Sequence, residues 1–416
     1  MSVTNNNLQV IDLPVWEQQT PATAASATGV CNVTDQRGTN RYIYQLLSAA
    51  SFWRFCTGTS TWQQLPSPPA GTFGAGTCMI FDPSYGTTTK GSIWAIIANA
   101  TLPVFYNFDI GSNTWSAAKS VTNLPATVGT DADLCKIDPA YNLNQQTGSS
   151  SYTGVNTVTL VSGGTLGSTT LTVGALPAAM AANTILNFGT VAAPLWAITT
   201  AAAAASATSL TVAALPQAIT GTPSAYWTDK IYFVGNAATT MIQYSISGNS
   251  WANSTGAIPA AVGAGNGLFW LPGYDPDKLI LVRGAATANI YQYSMSAATW
   301  STLNFMPTTE TFTTGTHTMA RTNPFVTSAG AGTSGITAYA SLQNRLLLQL
   351  NATGKIYEFD PIGLVLQPIA TNWMYTDGAA IVGNRLNYIV ASGIEFIYFQ
   401  LHTSATFIRV GLNSQF

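Results

Sequence analysis

Hydrophobic and polar residues alternate in several short stretches of the chain, and two of these stretches are close copies. Residues 290–300 read IYQYSMSAATW, and residues 241–251 read MIQYSISGNSW. Two more copies lie upstream, FWRFCTGTSTW at 52–62 and FYNFDIGSNTW at 105–115. Alternation with a period of two is typical of a strand with one buried face, and the small polar residues in the middle are typical of a turn. Each copy therefore predicts a β-hairpin.

In all four copies a tryptophan follows an aromatic residue by seven positions. A fifth copy, IYEFDPIGLVL at 356–366, ends in leucine instead, and a sixth around 396–407 is more degraded. An exposed row of tryptophans could stack on sugars, but a tryptophan at one fixed place in every unit is more simply explained as core between units. The predicted structural repeat residues are Trp62, Trp115, Trp251 and Trp300.

Another pair of strands precedes each hairpin. An apolar strand runs into a small-residue turn, as in KIYFVGNAATT at 230–240, and a glycine-containing strand comes before it, as in GAGTCMIFDP at 74–83. One unit is thus four antiparallel strands, repeated about every 50 residues, which is what a β-propeller requires. The chain supplies six such units.

The glycine-rich first strand, the aromatic-x-aromatic stretch and the following tryptophan resemble the kelch-repeat family. The resemblance covers most of the chain outside one segment, and it implies an all-β, six-bladed kelch-like β-propeller. Two features depart from the family pattern. The Gly-Gly pair that usually ends the second strand is reduced to single glycines such as Gly235 and Gly284, and the last two units have lost the tryptophan.

One segment breaks the repeat. Residues 139–228 contain no Asp, Glu, Lys or Arg, and within them STTLTVGALPAAM at 168–180 is repeated as ATSLTVAALPQAI at 207–219. A Leu-Thr-Val strand followed by a Leu-Pro turn is typical of β structure. The pattern predicts a small inserted β domain with two similar halves, placed between the second and third blades. A flexible Ala/Ser/Thr linker is the alternative.

These patterns predict four parts of the chain. A polar N-terminal arm occupies 1–28, and 29–149 hold the first two blades with the start of the third. The inserted uncharged β domain occupies 150–224, and 225–416 hold the remaining blades.

Composition narrows the choice of partners. Charged residues make up 7% of the chain, whereas a soluble domain usually has about 25%. With 14 basic and 16 acidic residues the formal charge is −2, so no basic surface is expected for nucleic acid. No window is apolar enough to predict a membrane span, and the first 20 residues lack the features of a Sec signal.

The sequence contains few residues that could act in catalysis or bind a metal ion. The two histidines, His317 and His402, lie in different predicted blades, and we expect each to be structural rather than a metal ligand. Asp131 and Asp133 are the one close acid pair that does not precede a proline. The sequence therefore predicts no catalytic, cofactor or metal site. Several other aspartates precede proline and are explained as turn residues, namely Asp82, Asp138, Asp275 and Asp360. The cysteines lack a CxxC pair and are expected to be free buried thiols, namely Cys31, Cys56, Cys78 and Cys135.

Two functions fit these features. The low charge, the arm and the duplicated TLTVxALPxA phrase resemble tailed-bacteriophage virion structural proteins. That resemblance implies a non-enzymatic subunit of the neck, tail nozzle or tail periphery, assembled in the host cytoplasm with other virion proteins and copies of itself. The alternative is a receptor-binding or glycan-binding propeller on a phage tail, contacting a host surface glycan. Its candidate stacking residues are Trp53, Trp94, Trp196, Trp227, Trp270 and Trp373.

Overall fold

The computed structural model of the chain is an all-β structure. It describes residues 16–19, 31–35, 42–48, 50–99, 101–129, 132–137, 155–190, 193–263, 266–271, 274–284, 289–303, 309–314, 317–322, 336–340, 345–349, 355–360, 365–371, 387–391, 394–400 and 406–412. Within these ranges no helix forms, and no helix long and apolar enough to cross a membrane is found there.

The described strands are short and follow one another closely. The first ten are β1 (Trp16–Gln18), β2 (Cys31–Asp35), β3 (Tyr42–Ser48), β4 (Ser51–Cys56), β5 (Thr61–Leu65), β6 (Cys78–Asp82), β7 (Ser92–Asn99), β8 (Thr101–Asp109), β9 (Thr114–Trp115) and β10 (Asp133–Lys136). The uncharged segment contains β11 (Asn156–Thr159), β12 (Thr170–Thr172), β13 (Ile185–Asn187), β14 (Trp196–Ile198), β15 (Ser209–Thr211) and β16 (Ser224–Trp227). Next come β17 (Lys230–Val234), β18 (Thr240–Ser245), β19 (Ser250–Ala257), β20 (Gly267–Trp270), β21 (Lys278–Val282), β22 (Ile290–Ser294) and β23 (Thr299–Leu303). The last are β24 (Thr309–Thr314), β25 (His317–Thr322), β26 (Ile336–Ala340), β27 (Arg345–Gln349), β28 (Lys355–Asp360), β29 (Val365–Thr371), β30 (Asn387–Ala391), β31 (Ile394–Gln400) and β32 (Phe407–Leu412).

Most of these strands form antiparallel four-stranded sheets. In chain order the sheets are β2-β3-β4-β5, β6-β7-β8-β9, β10-β17-β18-β19, β20-β21-β22-β23, β26-β27-β28-β29 and β30-β31-β32-β1. We number these sheets first to sixth. Between the fourth and fifth sheets, β24 and β25 form a separate hairpin that the sequence pattern did not predict.

The sheets are arranged in a propeller-like ring through their first strands. Strand β2 contacts β6, β6 contacts β10, and β10 contacts β20. Contacts of β20 with β26, of β26 with β30 and of β30 with β2 complete the circuit. The first strand of each sheet therefore faces the axis of the ring.

The sixth sheet is completed by the other end of the chain. Strand β1 pairs antiparallel with β32, with Trp16 opposite Val410, and the Gln19 amide donates to the Phe407 carbonyl at 2.8 Å. Part of the region predicted as an N-terminal arm is thus the outer strand of this sheet. The rest of the arm lies outside the described residues.

The uncharged segment is inserted inside the third sheet. Strand β10 pairs with β17, with Lys136 opposite Ile231, and β11 to β16 lie between these two strands in the chain. The expectation of an insertion between the second and third blades is corrected accordingly.

Each hydrophobic cluster of the ring is shared by two neighbouring sheets. Phe52 of the first sheet packs with Phe108 of the second, and Trp94 of the second packs with Tyr244 of the third. The uncharged segment has a cluster of its own, which includes Leu171, Leu210 and Trp227. Strands with one face on each neighbour cannot bury their apolar residues alone, so the ring is the unit that folds.

Candidate functional site

The repeat tryptophans lie between neighbouring sheets. Strand register puts each one opposite the aromatic residue seven positions earlier, and the ring centroids of these pairs are 5.0–5.1 Å apart. The pairs are Phe55 with Trp62, Phe108 with Trp115, Tyr244 with Trp251 and Tyr293 with Trp300. In the fifth sheet, Phe359 is opposite Leu366 in the same register.

Three of these tryptophans also contact an aromatic ring of the preceding sheet, at 5.1–5.2 Å. These contacts are Trp62 with Phe407, Trp115 with Phe52 and Trp251 with Phe105. The Trp115 indole donates to the Pro66 carbonyl at 2.8 Å, and the Trp251 indole donates to the Ser120 carbonyl at 2.9 Å. Both acceptors belong to the preceding repeat, so the tryptophan side chain joins sheets and is not free to stack on a sugar.

Several candidate stacking residues are also part of the core. Trp94, Trp227 and Trp270 are buried, whereas Trp53 and Trp196 are half-buried in different parts of the chain. Trp373 lies outside the described residues. The described tryptophans therefore do not form one exposed aromatic platform.

A repeated aspartate network joins the two middle strands of the third sheet, β17 and β18, and those of the fourth sheet, β21 and β22. Before β17, the Asp229 carboxylate accepts hydrogen bonds from the hydroxyls of Ser245 and Ser247, at 2.6 and 2.8 Å, and from the Ser247 amide at 2.7 Å. Asp277 binds Ser294 and Ser296 in the same way before β21. The sequence signal of this network is Asp-Lys followed by Tyr-Ser-x-Ser, which is present in both units and which the hairpin pattern alone does not reveal.

A buried ion pair lies where the uncharged segment joins the ring. Lys136 Nζ is 3.5 Å from Asp82 Oδ2, and both side chains are at most 1% exposed. Lys136 also donates to the Thr228 carbonyl at 3.0 Å, and the Trp94 indole donates to Asp82 at 3.1 Å. Asp82 accepts from the Ser84 amide as well, which is the turn role that its position before proline predicts. The pair thus links the second sheet to both ends of the inserted segment.

The uncharged segment touches the second sheet at a further place. The Gly86 amide donates to the Asn183 carbonyl, and the Ile185 amide donates to the Ser84 carbonyl, both at 2.8 Å. Tyr85 forms an isolated β-bridge with Thr184, and its ring lies 5.1 Å from that of Trp94. This backbone pairing and the Lys136–Asp82 ion pair hold the uncharged segment against the second sheet at two separate points.

The two halves of the uncharged segment are related by an approximate two-fold axis. The duplicated phrases pair with each other, so that Leu171 lies opposite Leu210, its own equivalent 39 positions later. Hydrogen bonds are matched as well. The Val173 amide donates to the Thr208 carbonyl, and the Val212 amide donates to the Thr169 carbonyl, both at 2.9 Å.

The outer strands of the segment follow the same symmetry. Strand β11 of the first half pairs with β16 of the second, and β14 of the second half pairs with β13 of the first. The symmetry is broken at one edge, because β13 begins at the contact with the second sheet whereas β16 leads into β17.

Of the close acid pair and the two histidines, the structure describes only Asp133 and His317. Asp133 is 2% exposed, and its carboxylate accepts from the Leu268 amide of the fourth sheet at 2.8 Å, so it joins two inner strands. Asp131 and His402 lie outside the described residues, and His317 is in strand β25. Among the described residues, no group of three or more His, Cys, Asp or Glu side chains that could hold a metal ion is found.

Several titratable groups of the ring have shifted pKa values that burial and hydrogen bonding explain. Burial raises the pKa of Asp109, but hydrogen bonds from the Thr87 and Ser112 amides and hydroxyls outweigh it, and the net pKa lies below its usual value. Burial raises the pKa of the Cys135 thiol to about 12, so this thiol stays protonated at neutral pH. Burial lowers the pKa of Lys119. Cys31, Cys78 and Cys135 are buried thiols that form no disulfide, as expected, whereas Cys56 is only half-buried.

No known protein family matches this chain, and no curated protein matches it. It is similar to a structural genomics protein of unknown function from Bacteroides thetaiotaomicron, at 6% identity and a TM-score of 0.46, over 95% of this chain and 76% of that chain. An auxiliary nutrient binding protein from the same bacterium matches at 9% identity and a TM-score of 0.48, over 96% and 76%. A chain of the mitotic checkpoint complex matches at 10% identity and 0.42, over 99% and 96%. These similarities carry no information on the function of this chain.

Proposed function

We propose that the chain is a non-enzymatic structural subunit of a bacteriophage virion, placed at the neck, the tail nozzle or the tail periphery. In this proposal the four-stranded sheets are the blades of a six-bladed, kelch-like β-propeller, and the uncharged segment is a β domain inserted in the third blade. The partners are copies of the chain and other virion proteins.

The observation that carries the proposal concerns the uncharged segment. It has its own hydrophobic cluster, and it is attached to the ring at two places, the Lys136–Asp82 ion pair and the backbone hydrogen bonds to the second sheet. A flexible linker would need neither. A rigid attachment fixes the direction in which the segment projects. That is useful for a part that must meet another subunit in a defined geometry.

The absence of charge in residues 139–228 also favours a permanent contact. Charged groups are costly to remove from water unless they are paired, and the centres of stable interfaces are depleted of them. A surface of Ala, Ser, Thr and Gly can be covered by a partner without this cost. Two described charged groups where the segment joins the ring, Asp82 and Lys136, are already paired with each other.

The hydrogen bonds of the repeated tryptophans and aspartates also support a structural role. Trp115 and Trp251 join neighbouring sheets, and Asp229 and Asp277 hold strands within a sheet. These contacts build a rigid block, which is the property that a propeller offers to an assembly.

The test is the mass of the purified chain in solution, measured by light scattering, with residues 150–224 intact or replaced by a short Gly-Ser linker. The replacement can close, because β10 and β17 are paired neighbours. We expect the full chain to form a defined oligomer and the shortened chain to be a monomer with an unchanged β-sheet circular dichroism signal. Two monomers would exclude assembly through the segment, and a glycan-array screen would then test the receptor-binding alternative.

A further inference from the structure

We propose that Val161 and Leu166 form a contact site through which the uncharged segment binds the same segment of a second copy of the chain. Val161 is 58% exposed and Leu166 is 70% exposed. The proposal rests on the assembly function above and names the residues that make the contact. Its two anchors lie on one loop, residues 161–168, which we call the first-half loop.

The two-fold symmetry of the segment supplies an internal comparison for this loop. Its equivalent is residues 200–207, the second-half loop, and the two loops make the same backbone contacts. The Gly167 amide donates to the Leu215 carbonyl at 3.0 Å, and the Ser206 amide donates to the Leu176 carbonyl at 2.8 Å. Both donors have positive φ, 81° at Gly167 and 67° at Ser206. The two loops therefore have closely similar backbones.

Matched pairs continue on either side of these turns. The Val161 amide donates to the Thr172 carbonyl at 3.0 Å, and the Thr200 amide donates to the Thr211 carbonyl at 2.9 Å. Since 161 and 200 are 39 positions apart, as are 172 and 211, these are the same hydrogen bond in two halves.

The side chains differ where the backbones agree. The second-half loop has Thr200 and Ala205 at the positions of Val161 and Leu166, and all four side chains are exposed. Because the second half folds in the same way with a threonine and an alanine, the fold does not require large apolar residues there. Single exposed apolar residues are ordinary in proteins, but two on one short loop, absent from its structural twin, indicate a surface that another molecule covers.

A second copy is the partner that best fits this surface. The loop lies inside a 90-residue run without charge, so two such segments can approach without repulsion between like charges. An isologous contact would place the apolar residues of one copy against those of the other, which removes both sets from water at once. A charged partner would gain nothing from a surface with no opposite charge to offer.

The experiment is sedimentation velocity of the full chain over a range of concentrations. The test variant is V161T/L166A, which gives the first-half loop the residues of its twin. The matched control is T200S/A205S, two conservative exposed changes in the second-half loop. We expect wild type and control to associate, and the dissociation constant of the test variant to rise at least about tenfold. At a concentration low enough that all three are monomers, they should unfold at the same temperature, since none of the changed side chains is buried.

The outcomes separate this inference from the assembly proposal. If wild type and V161T/L166A associate equally, while replacing residues 150–224 abolishes association, assembly through the segment stands and the Val161 and Leu166 contact is wrong. If wild type is a monomer at every concentration, the self-contact is wrong as well. Flotation with neutral phosphatidylcholine vesicles is the last arm. Binding by wild type that V161T/L166A loses would replace the second copy with a lipid surface.

Discussion

At the scale of single residues, equivalent positions of the repeat are not equally used. Trp251 is 1% exposed and its indole N–H is bonded to the Ser120 carbonyl. Trp300 occupies the same register position but is half-buried, and its indole N–H has no hydrogen-bond partner among the described residues. A tryptophan at the same repeat position therefore contributes differently to the free energy of unfolding in different sheets.

This difference predicts the effect of Trp251→Phe and Trp300→Phe. The first change removes a hydrogen bond and leaves a space in a packed core, so the free energy of unfolding should fall by about 2–3 kcal/mol. The second removes a buried donor that is not satisfied, and the fall should stay below about 1 kcal/mol. Urea unfolding followed by fluorescence measures both. Equal losses would contradict the assignment of Trp251 as the stronger link between sheets.

The tryptophan positions could be predicted from the sequence because the seven-residue spacing fixes cross-strand register. The same spacing places Leu366 opposite Phe359, where the tryptophan is missing. Which indole finds an acceptor could not be predicted. That depends on where the preceding repeat puts a carbonyl group, and residues 66 and 120 are far from 115 and 251 in the chain.

At the scale of elements, strands β6 and β10 are joined by the Lys136–Asp82 pair at the ends that face the uncharged segment. The aspartate before proline was predicted as a turn residue, and it does bind the Ser84 amide. Its second role depends on a lysine 54 positions away. No local pattern indicates this pairing, because the two strands become neighbours only when the ring forms.

The pair predicts strong coupling between the two residues. Lys136→Met leaves a buried carboxylate without its counter-charge and should cost about 3–5 kcal/mol of unfolding free energy. Asp82→Asn should also be destabilising, since Trp94 and Ser84 lose a charged acceptor. The double variant should cost at least about 1 kcal/mol less than the sum of the two single variants.

Chemical unfolding of the four proteins completes this double-mutant cycle. Asp277→Asn is a suitable control with Lys136→Met, because Asp277 belongs to a separate network in the fourth sheet. That combination should be additive. Additivity in the Lys136 and Asp82 cycle as well would mean that the 3.5 Å contact contributes nothing.

At the scale of the whole molecule, the ring is completed by two ends of the chain. Strand β1 carries no repeat motif and lies in a polar region, so the sequence pattern predicts an arm there. Its partner β32 begins at Phe407, about 390 residues later, and only the closed ring brings the two together. Pairings of this kind are the part of a repeat fold that local patterns cannot predict.

Closure predicts the effect of removing the first strand. Deleting residues 1–19 removes β1 and the Gln19 hydrogen bond to Phe407, and leaves the edge of β32 unpaired. The loss of these backbone hydrogen bonds should cost at least about 2 kcal/mol, and the exposed edge should promote aggregation. Deleting residues 1–12, which leaves β1 in place, is the matched control. Thermal unfolding with light scattering should show early melting and aggregation for the longer deletion alone. If both deletions melt together with wild type, β1 does not hold the ring closed, and the sixth sheet is stable with three strands.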